Sequence, residues 1–168
     1  VAVGLAAVLK EESPVAVVSF VVVLVVVTIA LFAPFLAPTN PYDLATVTVA
    51  DKTLAPGAVM GSGQVAYLGT DGSGRDLLSG IFYGLRISLS VGIGSGIIAL
   101  AIGVVVGLSA AYFGGRTDAL IMRLVDMQLS FPAILIALVL LVTLGKGVDK
   151  TLIALIVVQW AYYARTVR

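Results

Sequence analysis

Long uncharged apolar runs alternate with short polar segments along this chain of 168 residues. The first run, residues 15–36, has 22 residues, and about 20 apolar residues in a helix cross the ~30 Å hydrocarbon core of a bilayer. A cleavable signal peptide would have a shorter apolar region, roughly 7–15 residues, after a net positive charge. Here the preceding segment ends in Lys10-Glu11-Glu12. The run therefore predicts a retained spanning helix, because a helix satisfies its own backbone polar groups in lipid.

Three further apolar runs predict three more spans. The second covers residues 87 to about 112, and the third begins near Ala119 but is free of charge only over residues 129–144. The fourth, residues 152–163, is short for a span. It ends in Tyr162 and Tyr163, and Arg165 and Arg168 follow, a pattern that is typical of a membrane interface. It is either a tilted helix with charged ends or a helix that continues beyond Arg168.

The third run carries polar residues where it begins. Arg123 and Asp126 are three residues apart, so they share one helical face and can pair. Charges near a membrane mark either the interior of a bundle or an interfacial helix start, and the length of the remaining run favours the interfacial start. Pro132 predicts a kink in this helix.

Residues 37–86 separate the first two runs and contain Asn40, Asp43, Asp51 and Pro56, which predicts an aqueous loop. Beyond Asp76, apolar residues recur at helical spacing. They predict a short amphipathic helix ahead of the second span. It would lie on the membrane face or pack on the protein as an ordinary loop helix.

Small residues recur in steps of three or four along the second run: Gly92, Gly96, Ala99, Gly103, Gly107 and Ala110. At about 100° per residue they form one narrow stripe, and small-xxx-small pairs let two helices approach backbone to backbone. Glycine is common in membrane helices in general, but six positions on one stripe favour a tight helix seam. Leucine at Gly96 or Gly103 is then expected to force the helices apart.

The composition supports a membrane protein without catalytic residues. Hydrophobic residues make up 60% and charged residues 11%, against about 45–50% and about 25% in soluble domains. The net charge of +1 gives no sign of nucleic-acid binding. The chain has no Cys and no His, which excludes thiolate or imidazole metal sites and a Ser-His-Asp triad. It also has no phosphate-cradling Gly-x-x-x-x-Gly-Lys-Ser/Thr loop, so no catalytic, metal-binding or cofactor-binding residue is predicted.

Three ordered blocks of residues then become informative. The first is Leu68-Gly69-Thr70-Asp71, Gly74-Arg75-Asp76 and Tyr83-Gly84-x-Arg86-x-Ser88-Leu89; the second is Tyr112-Phe113-Gly114-Gly115, Asp118, Met122-Arg123, Asp126 and Phe131-Pro132; the third is Tyr163-Ala164-Arg165-x-Val167-Arg168. Together they resemble the C-type permease subunit of the dipeptide/oligopeptide/nickel family of ABC importers. Taken alone, Asp71, Arg75 and Asp76 also fit a helix cap and a solvated loop.

The resemblance implies an all-α, multi-span helical bundle in a bacterial inner membrane that imports short peptides or related small solutes. It implies a homologous second permease subunit, two ATPase subunits that carry ATP and Mg, and an extracytoplasmic substrate-binding protein. It also implies a cytoplasmic N-terminus. Basic residues alone do not orient the chain, because alternating spans place five on each side.

The resemblance divides the chain into three regions: residues 1–36 as N-terminus and first span, residues 37–86 as external loop, and residues 87–168 as the start of the permease core. Gly80 stands where many relatives carry Arg. The coupling loop and last two spans of the family are expected beyond Arg168, which leaves four spans here.

Two other classes of protein remain as alternatives, a fragment of a secondary transporter or channel and a non-transporting membrane subunit. An ion-coupled carrier would usually have carboxylates within its spans, whereas all nine acidic residues here lie in loops or near span ends.

Overall fold

The computed structural model describes residues 14–43 and 47–168. The chain divides into two compact units, one ending at Leu89 and the other comprising Ser90–Arg168. The described part is mostly helical, which confirms the all-α fold. The predicted N-terminal segment, residues 1–13, lies outside the described residues.

Helix α1, Pro14–Leu36, is the first predicted span. Its 23 residues extend about 34 Å at the rise of an α-helix, and the helix is long and apolar enough to cross a membrane. Of the residues of α1, only Ala30 and Ala33 are buried. The Thr28 hydroxyl donates a hydrogen bond to the Leu24 carbonyl oxygen at 2.7 Å, so that this polar side chain is satisfied within its own helix.

A short ordered segment follows α1 in the first unit. It contains one turn of 3-10 helix, Val49–Asp51, and two strands, β1 (Ala58–Val59) and β2 (Val65–Ala66). The strands pair antiparallel, with Ala58 opposite Ala66 and Val59 opposite Val65. Strands of two residues are too short to give an alternating sequence pattern, which is why the sequence predicted only a loop here.

Helix α2, Leu77–Phe113, is continuous over 37 residues, or about 56 Å. The prediction of a separate amphipathic helix before a span that starts at residue 87 is therefore wrong. Its residues form the first turns of α2. No proline interrupts this stretch, and Gly80 and Gly84 each cost only about 1 kcal/mol relative to alanine, so the helix has no reason to end between them.

The third predicted span is broken rather than kinked. Helix α3, Gly115–Ser130, and helix α4, Ala133–Leu144, are bent by 85° at Phe131 and Pro132. Helix α4 alone is about 18 Å long, too short for a ~30 Å hydrocarbon core, but the two helices together are long and apolar enough for one span. Pro132 lacks a backbone N–H and disfavours a helical residue before it, which explains the break.

Helix α5, Val148–Val167, has 20 residues and extends the predicted fourth run at both ends. Among the described residues, the helices apolar enough to span a membrane number two, or three if the bent pair forms one span, and α5 is not among them. Its crossing of the bilayer stays a prediction. Asp149 in its first turn and Arg165 in its last turn complement the helix dipole.

Packing in the second unit fixes the directions of the helices. A Cβ built on Gly94 of α2 would lie 3.6 Å from Leu152 of α5, and one on Gly107 would lie 2.5 Å from the Ala164 carbonyl oxygen. Residue numbers rise together, so α2 and α5 run parallel. The Gln128 side chain in α3 instead bonds to the Val157 carbonyl oxygen, while α3 begins near the end of α5, so these two helices run antiparallel. The bent pair therefore returns the chain between two parallel helices.

The core of the second unit consists mainly of small side chains. Val125 of α3 is fully buried with Ala161 and Ala164 of α5, and partly buried apolar residues pack around them: Val106, Met122, Leu129 and Trp160. Alanines on α5 let the backbones of α2 and α3 approach it closely, and this contact positions the small-residue stripe of α2.

Candidate functional site

The first block of motif residues folds into a tightly bonded loop ahead of α2. The Thr70 hydroxyl donates to the Asp51 carbonyl oxygen and accepts a hydrogen bond from the Leu54 backbone N–H at 2.8 Å. The Thr70 backbone N–H donates to the Leu54 carbonyl oxygen at 3.2 Å. One threonine thus ties the 3-10 turn to the segment after the hairpin. This cross-link between segments 16 to 19 residues apart could not be read from local sequence.

Gly69 and Gly74 in this loop are required by close backbone contacts. Both have positive φ angles, 80° and 84°, which glycine adopts without steric cost. A Cβ on Gly69 would lie 2.5 Å from the Leu54 carbonyl oxygen, and one on Gly74 would overlap the Thr48 carbonyl oxygen. The two glycines therefore serve the shape of the loop.

Asp71 organises the turn between these glycines. One of its carboxylate oxygens accepts hydrogen bonds from the backbone N–H groups of Ser73 at 2.7 Å and Arg75 at 2.9 Å. The bond from the Arg75 backbone is the main cause that lowers the pKa of Asp71, with further lowering by the Ser73 backbone and by the Arg75 charge. The carboxylate is thus held in its ionised, turn-forming state.

Asp76 caps the start of α2. Its side chain accepts hydrogen bonds from the Ser79 backbone N–H at 2.8 Å and from the Ser79 hydroxyl at 2.6 Å. The Thr39 backbone N–H donates to the same hydroxyl oxygen at 3.0 Å, and both Asp76 and Ser79 are buried. This cap connects the exit of α1 to the start of α2 and agrees with the structural interpretation of the motif. Arg86 lies three turns further along α2.

The small-residue stripe of α2 meets α5 over part of its length. A Cβ on Gly103 would lie 2.5 Å from the Tyr163 Cβ and 2.8 Å from the Trp160 carbonyl oxygen, and Gly107 is equally close to Ala164. Ala99 is fully buried. Gly92 and Gly96 have nothing within 4 Å of the corresponding Cβ position among the described residues. That these two pack against another helix stays a prediction.

Charged residues of the second block pair with α5 rather than with each other. Asp118 receives two hydrogen bonds from the Arg168 guanidinium, one of them 2.6 Å long. Asp126 forms an ion pair with Arg165 at 3.1 Å, so the predicted pairing of Asp126 with Arg123 is wrong. The guanidinium of Arg165 reaches Asp126 across the α3–α5 contact, which spacing within one helix could not predict.

The turn before α3 and the break after it are set by the remaining motif residues. Gly114 and Gly115 have positive φ angles, 58° and 53°, which allow α2 to end and α3 to begin without a longer loop. Before the break at Pro132, the Gln128 amide donates to the Val157 carbonyl oxygen at 2.9 Å. The sequence alone did not predict this contact of Gln128. Its position on the apolar side of α3 was the available signal.

The interactions of the motif residues are structural. Hydrogen bonds, caps and ion pairs join helices and order one loop, and no group of three or more Asp or Glu residues that could hold a metal ion occurs in residues 14–43 or 47–168. The motif residues order the loop before α2, set the turn and the break at the two ends of α3, and form part of the α2–α5 seam and the α3–α5 contact.

Two family models match the chain in order. Residues 12–56 match the N-terminal transmembrane domain of oligopeptide transport permease C. Residues 103–168 match the binding-protein-dependent transport system inner membrane component. The second match begins at Gly103 in the seam and includes the Asp118, Asp126 and Pro132 positions.

Curated relatives are transport permeases. The di/tripeptide transport permease DppC of Pseudomonas aeruginosa is 40% identical over 146 residues, covering 86% of this chain and 47% of that protein. The oligopeptide permease OppC of Bacillus subtilis is 31% identical over 158 residues, covering 94% and 49%. The nickel permease NikC of Escherichia coli K12 is 35% identical over 128 residues, covering 76% and 44%.

The chain spans about half the length of these relatives. Its resemblance to the permeases rests on both family models and on identity along most of the chain. The helical fold and the apolar spans fit an inner-membrane protein. The chain therefore belongs to the family of binding-protein-dependent inner-membrane transport components, with an N-terminal region of the oligopeptide permease C type.

Proposed function

We propose that this chain is a permease subunit of an ATP-driven importer and forms the translocation path together with a homologous second permease subunit. The observation that carries the proposal is the ordered match to two permease family models, supported by relatives that are all named as permeases. Two ATPase subunits would bind ATP and Mg, and an extracytoplasmic binding protein would deliver the substrate.

The substrates proposed are short peptides or related small solutes. The relatives are named for dipeptides, oligopeptides, glutathione and nickel, a range of compounds without one shared chemical group. The second unit offers an apolar helix bundle, and no residue in it selects among these solutes. Peptides are preferred because most of the relatives named above are peptide permeases.

The mechanism proposed is alternating access, in which ATP binding to partner subunits biases two arrangements of rigid helices. The α2–α5 contact at Gly103 and Gly107 supports this role, because it joins two helices through backbone contact and would let them move as one body. The break at Pro132 divides the third span into two helices that can change their angle. In the proposed orientation the N-terminus is cytoplasmic, residues 37–86 are external, and the Gly114 turn is cytoplasmic.

Purification of the assembled complex tests this proposal. The full-length permease, expressed with its candidate partner subunits, is expected to co-purify with a second permease and two ATPases. A matched preparation that lacks only this chain should lose the pairing of the other subunits. A stable homo-oligomer of this chain without ATPases would contradict the proposal and favour a non-transporting membrane subunit.

A further inference from the structure

A cavity of about 280 Å³ lies between the exit of α1 and the first turns of α2. Three charged residues of the loop motif line it, Asp71, Arg75 and Asp76, together with apolar Leu77 and Ile81. Binding pockets for small molecules begin at roughly 300 Å³, so the cavity has room for one small polar group. All of its residues belong to the first unit.

Asp76 has one carboxylate oxygen that the cap of α2 does not use. The residue is only 1% exposed, and its Oδ2 atom accepts both hydrogen bonds from Ser79. The Oδ1 atom is buried, and no described residue donates to it. Because a buried carboxylate oxygen without a donor costs free energy, this atom favours a donor from outside the chain.

The neighbouring residue has an unused donor. Arg75 Nε is buried and has no acceptor among the described residues, so it does not satisfy Asp76 Oδ1 either. A guanidinium group prefers the oxygens of a carboxylate or a phosphate. An unpaired donor and an unpaired acceptor therefore lie on consecutive residues that line the same cavity.

The two unpaired atoms require opposite groups in a ligand, an N–H donor for Asp76 and an acidic oxygen for Arg75. Two carboxylates against one guanidinium give the cavity an excess of negative formal charge, and the lowered pKa of Asp71 keeps that carboxylate ionised. A purely anionic ligand is therefore disfavoured, and a lone cation leaves Arg75 Nε without an acceptor. A zwitterion with an ammonium group and a phosphate or carboxylate satisfies both atoms.

The position of the cavity indicates the source of the zwitterion. Helix α1 is apolar up to Leu36, and the Thr39 backbone N–H just beyond it bonds to Ser79 of α2. The cavity therefore lies where the apolar span gives way to the polar segment, which is the level of the lipid headgroups. Leu77 and Ile81, four residues apart on one face of α2, are both exposed beside it.

An aromatic residue at the rim of the cavity fits this level. Tyr42 lines the cavity and contacts the Tyr83 ring edge-on, with the ring centroids 5.9 Å apart. Tyrosine is enriched where membrane and water meet, because its ring is apolar and its hydroxyl is polar. The rim therefore combines apolar surface for acyl chains with charged groups for a headgroup.

We propose that this cavity binds the headgroup of a zwitterionic phospholipid with a primary ammonium group, which donates to Asp76 Oδ1 while a phosphate oxygen accepts from Arg75 Nε. Both atoms are buried, so the long Arg75 side chain moves when the headgroup enters. The exposed side chains of Leu77 and Ile81 contact the acyl chains. This inference goes beyond the proposed function and does not depend on transport, because it requires only that the chain lies in a membrane.

Lipid binding to the full-length permease in its complex tests the inference, measured by native mass spectrometry. Phosphatidylcholine is the matched control lipid for phosphatidylethanolamine, because it has the same phosphate but a quaternary ammonium without an N–H donor. Phosphatidylethanolamine is expected to bind about tenfold more tightly, the equivalent of one hydrogen bond to a charged group. Equal binding of the two lipids would overturn the inference.

Two variants separate the two contacts. Asp76→Asn keeps an acceptor for the Ser79 cap and replaces the other oxygen with an amide donor, so it should abolish the preference for phosphatidylethanolamine. Arg75→Gln should weaken the binding of both lipids by about tenfold, because both have the phosphate. Lys52→Gln removes an exposed cation from the same unit and should leave binding unchanged. Wild-type binding by Arg75→Gln would overturn the inference even if Asp76→Asn fails to fold.

Competition with a dipeptide distinguishes the two sources of a zwitterion. Dialanine has an ammonium group and a carboxylate but no acyl chains, so millimolar dialanine should leave phosphatidylethanolamine bound. Displacement of the lipid would assign the cavity to a free zwitterion and would overturn the assignment to a lipid. Transport is not measured in these experiments, so their outcome is independent of whether the proposed function is correct.

Discussion

Gly107 of α2 lies directly against the backbone of Ala164 in α5, so that a Cβ atom on the glycine would sit 2.5 Å from the Ala164 carbonyl oxygen. Gly107→Ala is therefore expected to destabilise the chain by about 1–3 kcal/mol, the usual cost of overpacking. This should occur although alanine favours helix over glycine by about 1 kcal/mol. The effect is measured by heating the complex and recording the temperature at which assembled protein is lost.

Gly96→Ala is the matched control, because the corresponding Cβ position at Gly96 is open among the described residues. This variant should be neutral or slightly more stable. The same contrast applies to leucine, which should be excluded at Gly103 and accepted by this chain at Gly96. Equal loss of stability at Gly96 and Gly107 would show that the stripe is used along its whole length, as the sequence alone predicts.

The hydroxyl of Ser79 connects the exit of α1 to the cap of α2, so Ser79→Ala should destabilise both the contact at the end of α1 and the cap of α2. The substitution leaves the Thr39 backbone N–H without its acceptor and removes one donor from buried Asp76. The expected loss is about 1–3 kcal/mol, the cost of unsatisfied buried polar groups. Ser73→Ala removes an exposed hydroxyl and should be neutral in the same thermal assay. Similar unfolding midpoints for both variants would argue against the connection.

The stability of the turn at Asp71 should fall as the pH is lowered. The pKa of Asp71 is lowered in the folded chain, so its carboxylate stabilises the turn above the ordinary pKa of about 3.9. This contribution is lost as pH falls through the lowered folded value. The backbone N–H groups of Ser73 and Arg75 should exchange their hydrogens faster in Asp71→Asn than in the wild type near pH 7. The ratio of the two rates should approach one at acidic pH, and a ratio that stays constant would contradict the role of the ionised carboxylate.

The Asp118–Arg168 pair should be sensitive to charge reversal and to salt. Asp118 raises the pKa of Arg168 by hydrogen bonding first and by charge second. Arg168→Glu should lower the unfolding midpoint at low ionic strength, and Asp118→Arg in the same chain should restore part of the loss. The difference should shrink in 1 M salt, where charges on the surface are screened within about 3 Å. A double variant no better than the single one would show that the pair does not hold α3 to α5.

The extent of α1 and the helical class followed from the sequence, because about 20 uncharged apolar residues have no other stable state in lipid. The seam at Gly103 and Gly107 was also predicted, since glycine at helical spacing has a direct steric meaning. The loop motif was partly understood, because Asp76 ahead of an apolar run is a cap signal. These features depend on local spacing, which a single sequence displays.

Other features depend on contacts between distant residues and were missed. Helix rules do not decide whether the amphipathic turns join the span in one continuous α2. Proline rules predict a bend at Pro132 but not its angle of 85°. Asp126 has a plausible partner in Arg123 within its own helix, and only the packing of α5 on α3 shows that Arg165 takes its place. The hairpin was hidden because its strands have two residues each.

The central claim, that this chain forms part of an ATP-driven import path, is tested most directly by uptake into proteoliposomes. These would contain the full-length permease with its partner subunits, and labelled dipeptide and binding protein would be added outside. The account predicts accumulation that needs ATP inside, needs the binding protein and is lost when the ATPase subunits cannot hydrolyse ATP. Uptake that continues without ATP and without the binding protein would contradict the account.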